Sequence, residues 1–96
     1  MDLKLIFRRK ARLDIDKAYR WYEGHRKDLG ELFLLQLDRG LQVILDHPKG
    51  FPRIHKEFRQ CPIDRFPYVI IYRQLGKQIV IMRVFHTSQH PGKRFV

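Results

Sequence analysis

Ninety-six residues carry 20 Lys and Arg against 10 Asp and Glu, a formal net charge of +10, with 44% apolar and 12% aromatic residues. That length allows one domain over residues 1–96 with a single core, and the apolar content suffices to fill it, which excludes a disordered polycation. The charge is uneven: residues 1–48 hold 10 basic and 8 acidic side chains and residues 49–96 hold 10 basic and 2 acidic, so the halves carry +2 and +8. A field of that sign attracts polyanions, acidic protein segments and anionic membrane surfaces alike. The single cysteine, Cys61, excludes an intrachain disulfide and a cysteine-rich zinc site and suits a reducing cytosol. Beside Pro62 it reads as a packing residue rather than a nucleophile. The opening residues lack the apolar core of a signal peptide, and no stretch reaches the roughly 20 apolar residues of a membrane span, so a cytoplasmic protein without membrane contact is expected.

Leu3 to Phe7 is short, apolar and closed by the basic run Arg8-Arg9-Lys10, which predicts a first strand. From about Ala11 the spacing turns helical, with Ala11, Ile15, Ala18 and Tyr22 on one stripe and Asp14 and Asp16 near the positive end of the helix dipole. Trp21, Tyr19 and Tyr22 fit core positions plus one rim aromatic better than a base-stacking platform. This helix is expected to fade between Gly24 and Lys27, and Asp28 and Glu31 have the spacing of a capping box for a second. Leu29, Phe33, Leu37, Leu41, Ile44 and Leu45 form its stripe, and Pro48 ends it near Asp46-His47.

Arg53 to Cys61 alternates as one half-exposed strand, with Arg53, His55, Glu57 and Arg59 on its charged side. Tyr68 to Arg73 and Ile79 to Phe85 are apolar on both faces and flank Gln74-Leu75-Gly76-Lys77, the pattern of a β-hairpin. The expected order is β-α-α-β-β-β, an α+β domain in which a helical hairpin covers a small, mainly antiparallel sheet.

Four stretches in this order resemble the RelE/ParE superfamily of toxins from type II toxin–antitoxin systems, and more particularly its ParE-like, plasmid-stabilisation branch. They are Ala11-Arg12-Leu13-Asp14-Ile15, Trp21-Tyr22-Glu23, Arg65 to Tyr72, and Val84-Phe85-His86-Thr87-Ser88-Gln89-His90-Pro91. The resemblance implies two N-terminal helices on a small antiparallel sheet, and a toxin neutralised by a cognate antitoxin through an acidic and apolar C-terminal segment, in a hetero-oligomer. For the ParE branch it implies poisoning of DNA gyrase; for the RelE branch, cleavage of messenger RNA on the ribosome. Gln89 stands where this branch often carries an Arg, and Lys93-Arg94-Phe95 where many members have a Trp.

Strand alternation gathers Arg53, His55, Glu57 and Arg59, with Lys49 and Arg65 flanking, into a surface suited to a polyanion backbone or target; Arg83 is a further candidate. If the chain is a RelE-like ribonuclease, Arg59 matches the basic residue such enzymes place near this point, and His55 or His86 would act as general acid or base. The alternative is a solvated strand face with exchangeable ion pairs. Strict alternation along the last strand places Ile79, Ile81, Arg83 and Phe85 on the side away from the helices, where they are expected to contact the antitoxin. Arg83 within apolar surface calls for a carboxylate, from this chain or from a partner. His47, His86 and His90 are too scattered for a metal site, and no cofactor is expected. A basic nucleic-acid-binding module without toxicity is a third reading, carried by charge alone.

Overall fold

The computed structural model describes residues 2–88. Strand β1 (Lys4–Phe7) leads into helices α1 (Arg9–His25) and α2 (Leu29–Asp46), followed by β2 (Arg53–His55), β3 (Phe58–Pro62), β4 (Tyr68–Leu75) and β5 (Gln78–His86). The sheet runs β1-β5-β4-β3-β2. β1 lies parallel to β5, with Lys4 opposite Gln78 and Phe7 opposite Ile81, and the other neighbours are antiparallel. Both helices lie on one face, where Ala11, Ala18, Phe33, Leu37, Leu41 and Ile44 pack against Cys61, Ile70, Tyr72, Ile79, Ile81 and Val84. The α+β class and the helical stripes are as the spacing predicts.

Two local expectations are corrected. Residues 53–61 are not one strand: Lys56 takes a left-handed φ of 50° and turns the chain back, so that Arg53 faces Arg59 and His55 faces Phe58 across a tight hairpin. Alternation of charged side chains persists through such a turn and does not reveal it. The capping box also does not form. Asp28 sits at the start of α2 with φ 69° and its side chain caps nothing. Instead the Glu23 carboxylate, from the last turns of α1, accepts the backbone N–H groups of Asp28 and Gly30, each at 3.0 Å. Two orphan donors of α2 are therefore satisfied from the preceding helix. Glu31 accepts from the Tyr19 hydroxyl at 2.7 Å, a second tie between the helices. Gly30 lets them approach this closely, because a Cβ there would lie 2.9 Å from the Tyr19 ring and from its carbonyl oxygen.

The β4–β5 hairpin holds the feature that sets its faces. Its turn uses Gly76 at φ 57°, the conformation glycine adopts without steric cost. Further along, Tyr72 pairs with Ile81 but Ile71 pairs with Arg83, so Met82 is an extra residue and β5 bulges. The bulge shifts the side-chain parity: Ile79 and Ile81 before it and Val84 after it all join the core beneath the helices. Phe85 instead joins Val69 and Ile71 in a second cluster, with Ile54, Phe58 and Met82 packed against it.

Capping from a neighbouring helix is separable from capping by Asp28. In urea unfolding, Glu23→Ala is expected to lower stability by about 1 kcal/mol, whereas Asp28→Asn, which keeps a residue tolerant of positive φ, should stay within about 0.5 kcal/mol of the parent. The reverse order would restore the capping box.

Candidate functional site

The described surface has two clefts lined by sequence-predicted functional residues. The larger, of about 720 Å³, runs between α1 and the end of β5 and is lined by Asp14, Lys17, Trp21, Tyr68, Arg83, His86 and Ser88 among others. Its centre is an ion pair. Asp14 accepts from Arg83 through Nε at 2.7 Å and through a terminal guanidinium nitrogen at 3.0 Å, and also from the backbone N–H of Val84 at 3.0 Å. The hydrogen bonds to Asp14 raise Arg83 above the usual guanidinium value, so its charge is fixed. Arg83 thus finds its carboxylate within the chain. Asp14 lies beyond the first turn of α1, which contains no acidic residue, so its role is to bind β5 rather than to complement the helix dipole.

Trp21 is 57% exposed on the rim of this cleft and stacks on His25 with ring centroids 3.7 Å apart. It is the rim aromatic anticipated from the helical spacing. Tyr22 points inward, stacked on Phe33 at 5.5 Å and edge-on to Phe66 at 4.8 Å. At the other end of the cleft, His86 lies edge-on to Tyr68, with centroids 4.9 Å apart. Its Nδ1 accepts from the backbone N–H of Ser88 at 3.0 Å and from the Ser88 hydroxyl at 2.6 Å. That nitrogen is therefore engaged by its own turn.

The smaller cleft, of about 320 Å³, is lined by Lys49, Arg53, Glu57, Arg59, Gln74 and Gly76. Arg59 donates to the Phe51 carbonyl at 2.6 Å and thereby holds the loop after α2 against β3. The Tyr72 hydroxyl donates to the Pro48 carbonyl at 2.9 Å and fixes the other side of the loop; burial pushes that hydroxyl up to about 12. Glu57 pairs with Arg73 at 2.6 Å and is held below the usual carboxylate range, first by its own backbone N–H and then by that guanidinium.

The sequence-predicted site residues are therefore divided. Lys49, Arg53 and Arg59 converge on the small cleft. Arg65 lies in the β3–β4 connection at φ 70°, toward the opposite end of the hairpin. Arg83 and His86 line the large cleft, and His55, at the end of β2, lines neither. Arg59 is opposite Tyr72 and His86 is opposite Tyr68, four positions apart along β4 or roughly 13 Å, so these two candidate nuclease residues share no common site. The antitoxin-facing row is corrected as well: the bulge buries Ile79 and Ile81 completely under the helices, while Phe85 is 1% exposed within the second cluster. Arg83 is the member of that row that remains on a cleft. Gln89 and the segment Lys93 to Phe95 lie outside the described residues. Among the described residues no cluster of His, Cys, Asp or Glu could hold a metal ion, and no helix is long and apolar enough to cross a membrane. Cys61 is buried, and burial pushes its thiol up to about 11.

Two outcomes follow from this geometry. Removing Asp14 takes two hydrogen bonds from a largely enclosed guanidinium and the side-chain acceptor from the Val84 N–H, so Asp14→Ala should cost about 2–3 kcal/mol in urea unfolding and Arg83→Ala distinctly less. Equal losses would mean that the backbone contact contributes nothing. Cys61, as a buried neutral thiol, should react with iodoacetamide at pH 7.5 only as fast as the chain opens; immediate stoichiometric alkylation of the native chain would contradict its placement.

None of the curated proteins searched matches this chain. Among solved structures, that of the chromosomal ParDE TA system from P. aeruginosa superposes with a TM-score of 0.68 at 24% identity, covering 91% of this chain and 98% of that one, a likeness of fold. The family model described as ParE toxin of type II toxin-antitoxin system, parDE, matches residues 5–91. The chain belongs to the ParE toxin family of type II toxin–antitoxin systems.

Proposed function

We propose that this chain is a non-enzymatic toxin that acts on DNA gyrase and is held inactive by an acidic antitoxin. The observation that supports this reading over a ribosome-dependent ribonuclease is the separation of His86 from Arg59, with His55 outside the cleft that Arg59 lines. Phosphodiester cleavage needs an acid, a base and a charge stabiliser converging on one phosphate. Here Arg59 is tied to the Phe51 carbonyl, His86 accepts from Ser88 in a different cleft, and Arg83 is paired with Asp14. A protein of this kind blocks a target by binding it, and family membership makes gyrase the first target to test.

The antitoxin reading rests on charge and on the α1–β5 cleft. The acidic groups of the chain are concentrated in residues 1–48, leaving +8 on the remainder, and the cleft offers Lys17 beside the exposed Trp21. An extended segment bearing carboxylates and one or two apolar side chains matches that lining, with long-range attraction accelerating its encounter.

Controlled expression with pulse labelling tests the target. Early loss of thymidine incorporation, together with inhibition of gyrase supercoiling by the purified chain, is the expected result. Early loss of methionine incorporation with cleaved transcripts would replace gyrase by the ribosome. Under the gyrase reading His86→Ala retains its growth inhibition, whereas a ribonuclease using His86 would lose roughly 100-fold or more. Because Trp21 is the only tryptophan, its emission reports cleft occupancy directly, and antitoxin binding without any change in that emission would move the partner elsewhere.

A further inference from the structure

The Lys56 turn places Arg53 and Arg59 directly opposite one another on antiparallel strands. Like charges in that position repel unless something of opposite sign lies between or above them. Lys49 lines the same cleft, so three cations share about 320 Å³ with a single carboxylate, Glu57. That carboxylate is committed to Arg73 at 2.6 Å, on the partner strand β4, and does not balance the three. The cluster is also partly organised before anything binds. One terminal nitrogen of Arg59 donates to the Phe51 carbonyl at 2.6 Å and to the Lys49 carbonyl at 3.4 Å, which leaves Nε and the other terminal nitrogen as donors for another acceptor. Gln74, whose Nε2 donates to the Gly76 carbonyl at 3.1 Å, forms part of the wall.

We propose that Lys49, Arg53 and Arg59 form a phosphate-binding site that holds a single phosphate of a nucleic-acid backbone. Three positive groups around so small a space suit a compact anion of high charge density. The two planar forks of Arg53 and Arg59 suit oxygens arranged tetrahedrally about one centre, and Lys49 adds a point charge. The site is distinct from the α1–β5 cleft, and its test does not involve gyrase, so it stands or falls separately from the target proposed above.

The test is fluorescence anisotropy of the purified full chain with a short labelled DNA duplex, repeated with an RNA duplex of the same sequence, between roughly 50 and 200 mM salt. Each phosphate held contributes roughly 0.9 to the slope of log affinity against log salt on duplex DNA, so Arg53→Ala and Lys49→Ala should each weaken binding and the double variant should lower the slope by no more than about that amount. Arg59 is left in place because it also holds the loop at Phe51. Arg20→Ala, on the exposed face of α1, should leave the slope unchanged. Binding of either duplex with that pattern supports the site, and the tighter one identifies its source. An equal loss from Arg20→Ala would reduce the binding to diffuse charge and overturn the proposal. In parallel, inorganic phosphate should shift the backbone amide resonances around Arg53 and Arg59 at concentrations where acetate does not. An equal response to acetate would make this a carboxylate site and would also overturn it.

Discussion

Where β1 ends at Phe7, the outer edge of β5 loses its hydrogen-bonding neighbour, and a carboxylate takes over. The last backbone bond of the parallel ladder runs from the Arg8 N–H to the Ile81 carbonyl at 3.0 Å; beyond it the Val84 N–H is received by Asp14. Asp14 thereby extends the pairing of β5 with a side chain from α1, and its two bonds to Arg83 lock the helix to the strand at the same point. The bulge at Met82 brings Val84 into phase with the core, while Arg83 pairs with Ile71 of the second cluster and still reaches Asp14. That junction fastens α1 over the sheet and forms part of the lining of the cleft beside it.

The consequence for function is a division of labour among basic residues. A net charge of +10 describes a diffuse field, but the structure spends individual cations differently. Arg83 is consumed in holding the fold, Arg59 organises the loop after α2 while facing a cleft, and Lys49 and Arg53 remain on the surface. A toxin that works by attachment needs such residues held at fixed positions more than it needs a titrating acid and base.

The helical hairpin was legible in the sequence because its apolar stripes repeat without interruption, and Pro48 marks its end. The β4–β5 hairpin was equally legible from two apolar runs around Gly76. What escaped were events of one or two residues. The Lys56 turn preserves the alternation that defines a strand, so Arg53 to Cys61 reads as continuous. The bulge at Met82 inverts the parity of an apolar run in which every residue is acceptable on either face, so nothing in the composition of Ile79 to Phe85 marks it. The roles of Asp14 and Glu23 depend on elements 69 and 7 positions away, beyond any local pattern. Convergence of Lys49, Arg53 and Arg59 was anticipated from alternation along one strand, yet it arises from a hairpin that sets two strands face to face.

The brevity of β2 bears on life without a partner. An exposed sheet edge is a template on which further copies can stack. Here one edge is a three-residue strand carrying Arg53 and His55, and the other is the four-residue β1, beyond which a side-chain carboxylate occupies the vacant donor of β5. Neither offers a long, flat row of free backbone groups. Among the described residues, then, edge-to-edge stacking of copies finds little template on either side of the sheet.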